Sequence, residues 1–348
     1  MRRLAFAGLL LGLATLSSLT SAAAAPPVVA PKPDDDQAVL RRIFADWAAR
    51  RERFSSVRHS LEGKMFRPKG YLNDLRVDLF EPDEMPAGNV PPKDLRYRTS
   101  ALVAIDFKRG VARIERRSAD FTPPASVLPT YEVRLFDGEW KQRFEPQEQN
   151  PDVRAGVLEP EMTQGKLMPV YRDGFFDRAL RPLLYGHGFV PGSTDAEVLR
   201  EPADHSRLHG VGHVEHDGRR CVVLRTRPVE EHALVQEFLV DVERDSAVVR
   251  TALRHAAEER RVATITYRET PDGWMPDRWT DEVTGLSRET LKVVTTERNP
   301  DLSSERFRME PSLGMIFKQG GKLWIHRGKD LPPLDARKHF KPGTPKDL

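Results

Sequence analysis

Residues 262–283 read VATITYRETPDGWMPDRWTDEV. Two strand-like runs, Val262–Glu269 and Trp274–Val283, flank Asp272-Gly273, and an Asp-Gly pair suits the positive backbone φ angles of a two-residue hairpin turn. The same device occurs twice more. Asp137-Gly138 lies between Tyr131–Phe136 and Trp140–Phe144, and Asp217-Gly218 between Gly210–His216 and Arg220–Arg225. If Asp217-Gly218 is a two-residue turn, His213 faces Val222 and Val214 faces Cys221. Two more strand pairs are expected, Leu95–Phe107 with Val111–Glu115 about Lys108-Arg109-Gly110, and Phe238–Val242 with Ala247–Leu253 about Arg244-Asp245. Near the start, Val57, His59, Leu61 and Gly63 alternate with Arg58, Ser60 and Glu62. Successive hairpins predict a meandering antiparallel sheet, and so a mainly β, α+β fold.

Two helices are expected on this sheet. Val39, Leu40, Ile43, Phe44, Trp47 and Ala48 recur at three- and four-residue spacing behind Asp34, Asp35 and Asp36, which can cap a helix. Arg41, Arg42, Asp46 and Arg50 are placed on the opposite face, and the helix runs to about Phe54. Its broad apolar stripe suits packing on the sheet. From Asp173 to Tyr185, Phe175, Phe176, Ala179, Leu180, Leu183 and Leu184 form a second helical face, with Pro182 kinking or restarting it. Residues 146–165 read as a loop.

The N-terminus reads as an export signal: Arg2 and Arg3, an apolar run Leu4–Leu16 too short to span a bilayer, then small residues Ala22–Ala25. The expected organisation is a signal peptide at 1–24, a Pro-rich linker at 25–35, one β-rich domain at 36–329 and a Pro-rich tail at 330–348. This implies a soluble mature protein in the periplasm or outside the cell, with no transmembrane anchor. Cys221 is the only cysteine, so no internal disulfide can form, and its apolar surroundings predict an inert thiol. Without Arg2 and Arg3 the 55 basic residues come almost level with the 52 acidic ones, and they interleave along the chain. No clustered basic face marks a nucleic-acid partner.

The densest group of ligand-type residues is His205, His209, His213 and His216, close to Asp204, Glu215 and Asp217. Gly210, Val211, Gly212 and Val214 favour a strand there, and residues four apart on a strand are separated by roughly 13 Å, too far to share one ion. Solvated strand histidines are the expectation and a metal-dependent hydrolase the alternative. No nucleophile elbow, HExxH or phosphate loop is present, so no catalytic residue, cofactor or metal is assigned. Trp140, Trp274, Trp279, Phe175, Phe176, Tyr185 and Phe189 concentrate on hairpins and the inserted helix, where sheet and helix either line an apolar cavity or fill a core.

Phe54-Ser55-Ser56-Val57-Arg58, then Phe238–Asp245 followed by Val248-Val249-Arg250, then Tyr267-Arg268-Glu269 leading to Gly273-Trp274-Met275-Pro276, form a passage that resembles the LolA/LolB-like superfamily of exported lipoprotein carriers. The resemblance covers Asp36–Arg298, with residues 81–93 and 146–165 as insertions. It implies a curved half-barrel that holds acyl chains on its concave face, and it transfers no individual binding residue. The expected function is a non-enzymatic envelope carrier or binding protein for a lipid, lipoprotein acyl chains or another apolar ligand. Candidate ligand-binding residues are Phe175, Phe176, Leu180, Leu183, Leu184, Tyr185, Trp140 and Trp274. A protein-interaction module is the remaining alternative.

Overall fold

The computed structural model describes residues 33–70, 91, 93–122, 126–145, 157–162, 175–191, 196–200, 205–227, 234–255, 258–310, 316–319, 322–327 and 334–335. Helix α1 (Pro33–Glu52) leads into β1 (Ser56–Arg67), β2 (Leu95–Asp106), β3 (Val111–Thr122), β4 (Ser126–Phe136), β5 (Trp140–Glu145) and β6 (Val157–Met162). A 3-10 turn at Arg178–Leu180 and helix α2 (Arg181–Gly186) follow, then β7 (Leu208–His216), β8 (Arg219–Thr226), β9 (Val235–Asp241) and β10 (Ala247–His255). The remaining strands are β11 (Glu258–Thr270), β12 (Gly273–Val283), β13 (Ser287–Arg298), β14 (Ile316–Gln319), β15 (Lys322–Ile325) and β16 (Leu334–Asp335).

Among the described residues, sixteen strands form one curved, open sheet in the order β16-β15-β14-β6-β5-β4-β3-β2-β1-β13-β12-β11-β10-β9-β8-β7. β1 lies near the middle. One wing grows from it hairpin by hairpin through β2 to β6, and the other runs back from β13 to β7. The ladders are antiparallel except for two residue pairs, Ile316 with Val157 and Phe317 with Leu158, where β14 joins β6 in parallel.

Turn chemistry explains the hairpins. Asp217 (φ 50°) and Gly218 (φ 71°) make the two-residue turn expected, and His213 pairs with Val222 and Val214 with Cys221. At the tip of β11–β12 the turn sits one residue earlier than expected: Thr270 pairs with Gly273, so Pro271-Asp272 are the central residues. Proline suits the first central position of a type I turn, and Gly273 (φ 94°) takes the left-handed position after it.

Several boundaries differ from the sequence expectation: β3 runs to Thr122 where Glu115 was expected, and the second helix, expected from Asp173, is helical among the described residues only from Arg178, as a 3-10 turn. α1 opens at Pro33, inside the expected linker, where proline's fixed φ suits a first helical residue. Val157–Met162, expected in a loop, pairs with β5, and Leu334–Asp335, expected in the tail, pairs with β15. The expected signal peptide and residues 163–174 lie outside the described residues.

α1 and the 175–191 segment pack on one face of the sheet in a single apolar cluster. Ile43 and Trp47 of the expected stripe are fully buried. Arg50, expected on the solvent face, is 1% exposed and continues the row Ile43–Trp47 at helical spacing. It is accommodated because four backbone carbonyls receive its N–H groups: Asp245 (3.0 Å), Gly186 (3.2 Å), Trp274 (3.0 Å) and Arg244 (3.0 Å). Trp47 Nε1 donates to Ser246 O at 2.7 Å, and the Ser246 hydroxyl to Asp46 at 2.6 Å, so α1 is tied to the β9–β10 loop.

Candidate functional site

The sheet parts between β12 and β13. Their ladder joins Arg278–Val283 to Ser287–Lys292 and stops there; Gly273–Pro276 pairs only with β11, and Val293 and Thr295–Arg298 only with β1. A β-bulge sits on each bordering strand. Thr266 pairs with Arg278 and Tyr267 with Pro276, leaving Asp277 as the extra residue; Ser60 pairs with Thr295 and Leu61 with Val293, leaving Val294. A bulge bends its strand and increases the local twist, which accounts for the divergence at this point.

The opening holds a cavity of about 310 Å³. Its apolar lining is Phe54, Pro271, Met275 and Val294; its polar lining is Arg268, Glu269, Thr270, Thr295, Thr296 and Arg298. That volume falls at the small end of ligand sites. Val294 is 46% exposed, one of two large hydrophobic side chains exposed among the described residues. Arg298 forms an ion pair with Asp272 across the opening, and Arg268 lies 3.7 Å from Asp277.

Two buried histidines stand behind this lining. His59 Nδ1 is 3.1 Å from the Thr296 hydroxyl, and His59 Nε2 is 3.0 Å from His187 Nε2. The His187 ring meets Phe54 edge-on at 5.5 Å and lies 5.2 Å from Phe107. His187 is placed by the exit from α2, where its N–H donates to Leu184 O, and by Gly188 (φ 81°), whose missing Cβ would fall 2.1 Å from the Trp47 carbonyl. Burial disfavours the charged form of both rings. His59 is lowered to about 4 by burial and then by Arg268, and His187 is lowered well below its ordinary value by burial, His59 and Arg50.

The sequence-predicted residues separate. Phe175, Phe176, Leu180, Leu183, Leu184 and Tyr185 are each at most 2% exposed, so this segment fills the sheet face where a cavity was the other option. Phe175 packs on Phe176 (5.1 Å) and Phe136 (6.1 Å), Tyr185 on Phe238 (6.0 Å), and Trp279 Nε1 donates to Ala179 O at 2.6 Å. Trp140 lies under Arg308 instead, with 5.5 Å from guanidinium to ring. Trp274 lies under Arg244 at 4.6 Å, and its carbonyl serves Arg50.

The inner face also becomes polar at one end. Continuing the rows of Ile114, Leu291 and Trp279 are Arg116, Glu289 and Asp281. Arg116 pairs with Glu289 at 2.6 Å and with Asp177, and Arg261 donates to Asp281 at 2.7 Å. Burial alone would raise the Glu132 carboxyl nearby, but Arg134, Arg143 and Arg116 hold it below its ordinary value. These charges are matched within the fold.

The four clustered histidines do not converge. His205 stacks on Phe44 of α1 at 4.4 Å, while His209, His213 and His216 are spread along β7. Among the described residues no group of three or more His, Cys, Asp or Glu is placed to hold a metal ion. No described helix is long and apolar enough to cross a membrane.

No protein-family model matches the chain, and no curated protein matches it. Solved structures similar to it include a Vibrio parahaemolyticus domain described as an outer membrane lipoprotein-sorting protein domain, at 10% identity over 76% of this chain and 94% of that one, with a TM-score of 0.44. A DUF1329 family protein from Desulfovibrio piger is 10% identical over 77% and 96%, with a TM-score of 0.38. LprF from Mycobacterium bovis is 10% identical over 77% and 95%, with a TM-score of 0.25.

Sequence reasoning passed over His59 and His187. His59 was visible in the apolar alternation of β1, where a lone imidazole on the inward row needs a partner. His187 had no signal of its own, because its partner lies 128 residues away.

Proposed function

We propose that this protein is a cell-envelope carrier or binding protein, exported by residues 1–24, that holds a lipid, an acyl chain or another apolar group in the opening between β12 and β13. The observation that carries this reading is the opening itself, where two bulges part an otherwise continuous sheet over Phe54, Met275 and Val294, with arginine and threonine around them. An apolar floor with a polar rim suits an amphiphile, whose chain is buried while its head stays wet. The segments that carry the sequence resemblance to lipoprotein carriers, Phe54–Arg58 and Tyr267–Pro276, supply much of this lining. On this reading the 175–185 segment occupies the concave face and confines the guest to the opening beside α2.

The test is native mass spectrometry and lipid extraction on protein purified from its own envelope, together with titration by a pyrene-labelled phosphatidylcholine. A co-purifying amphiphile and saturable probe binding are expected. No bound amphiphile and no probe binding at neutral pH overturn the reading.

A further inference from the structure

The His59–His187 pair is a cluster of buried titratable side chains with an atom left over. His187 Nδ1 is buried and has no hydrogen-bond partner, whereas His59 uses both its ring nitrogens. Only two neutral arrangements of the wire exist. If His59 donates through Nε2, His187 must carry its proton on Nδ1, which leaves a buried N–H unpaired. If His187 donates through Nε2, His59 donates through Nδ1 to the Thr296 hydroxyl, and His187 Nδ1 is a bare acceptor. Orphaned buried N–H groups are the rarer and costlier of the two, so the second arrangement is the resting one. It leaves His187 Nδ1 as the basic atom of the pair.

A proton arriving there would find no counter-charge. The ring lies between Phe54 and Phe107, and the charges that act on the pair are Arg268 from β11 and Arg50 from α1, both positive. Arg51 of α1 adds a third positive group, donating to Gly188 O at 3.3 Å. Asp277 lies 3.7 Å from Arg268, and Asp245 and Asp46 act on Arg50, but no carboxylate is among the groups that act on either ring. An imidazolium in that setting is relieved only by reaching water. The groups holding the pair shut, Phe54 and Thr296, are also walls of the opening.

We propose that His59 and His187 form a proton-operated latch on this opening: the neutral pair holds β13 and the α2 exit against Phe54, and a proton taken up at His187 Nδ1 releases that wall and weakens the hold on the guest. This rests on the reading of the opening as the ligand site. Open-state histidines titrate at their ordinary value and closed-state ones do not, so acidification from pH 7.5 to 5 multiplies the open-to-closed ratio about tenfold or more.

Two measurements on the full mature chain test it. The first needs no ligand: hydrogen exchange at the amides of Val293–Arg298, corrected for the chemical exchange rate, at pH 7.5 and 5. Protection should fall about tenfold in the native protein and stay constant within about twofold in the double variant His59→Gln/His187→Leu, or in His59→Gln/His187→Asn should the first not fold. The second is affinity for pyrene-labelled phosphatidylcholine, whose head group does not titrate in this range; it should weaken about threefold or more in the native protein and hold in the variant. Constant protection in the native protein, or the same pH response in both proteins, overturns the latch even where the probe binds. A probe that fails to bind at pH 7.5 overturns the carrier reading, and exchange then decides on the latch by itself.

Discussion

The guanidinium of Arg50 on α1 donates to the backbone carbonyl of Trp274 at 3.0 Å, joining the N-terminal helix to the β11–β12 hairpin. With Asp245, Gly186 and Arg244 it serves four carbonyls from three separate parts of the chain. Arg50→Met should therefore cost about 3 kcal/mol or more, because buried carbonyls lose a charged donor and regain no water. Arg50→Lys should lose nearly as much, since one ammonium cannot reproduce a planar fork. Urea denaturation checks both; a loss within about 1 kcal/mol for either variant contradicts the role given to this side chain.

Stability should fall on mild acidification. His59 has a folded pKa of about 4 against an ordinary 6.5, so between those values the unfolded chain binds the proton and the folded one does not. The stabilisation is complete above pH 6.5 and is lost as pH falls toward 4. From pH 7 to 5 the expected loss from His59 is on the order of 2 kcal/mol. Denaturation at the two pH values, in the native protein and in His59→Gln, isolates this contribution; equal slopes in both would show that His59 does not cause it.

Gly188→Ala should destabilise by roughly 2 kcal/mol or more, from the left-handed backbone and from the close approach to the Trp47 carbonyl together. The same substitution at Gly285 (φ 72°), where no atom crowds the added methyl, should cost only the backbone part. Thermal unfolding of the two variants separates steric from conformational cost.

Val294→Asp should weaken binding of the acyl probe while changing stability by about 0.5 kcal/mol or less, because the side chain is nearly half exposed on its bulge. Phe176→Asp is expected to unfold the protein, since Phe176 is 1% exposed and would bury an unpaired carboxylate. Circular dichroism beside the probe titration distinguishes the two effects.

The Cys221 thiol should resist a disulfide reagent at pH 8 in the native state and react fully in urea. Burial, with Asp241 and Asp217 adding to it, pushes the thiol up to about 12, so almost no thiolate is present to react. Rapid reaction without denaturant would show that β8 opens locally.

Much of the sheet was legible because hairpins are local. Asp217-Gly218 and Gly110 announce turns whose register follows within a few residues. The opening was not legible, because the bulges at Asp277 and Val294 exist only relative to partner strands. Arg50 was misplaced for a related reason: helical spacing puts it in line with Ile43 and Trp47, but a charged side chain is assigned to solvent unless its acceptors are known, and those lie between 136 and 224 residues away. The segment from Phe175 to Tyr185 was recognisable as apolar, yet apolarity alone does not distinguish the wall of a hollow from the filling of a core. Trp279, which donates to Ala179 O and packs with that filling, is what the structure adds there.

The position of β1 sets the order in which the chain can be completed. Val57 pairs with Ile105 on one side and with Arg298 on the other, so the second partner is made some 240 residues after the first residue of the pair. Each wing can assemble early from neighbouring hairpins, but the centre of the sheet closes only when β13 arrives, and such distant closures are slow. Until then β1 presents a bare edge, and a nascent chain would need that strand shielded from the wrong neighbour.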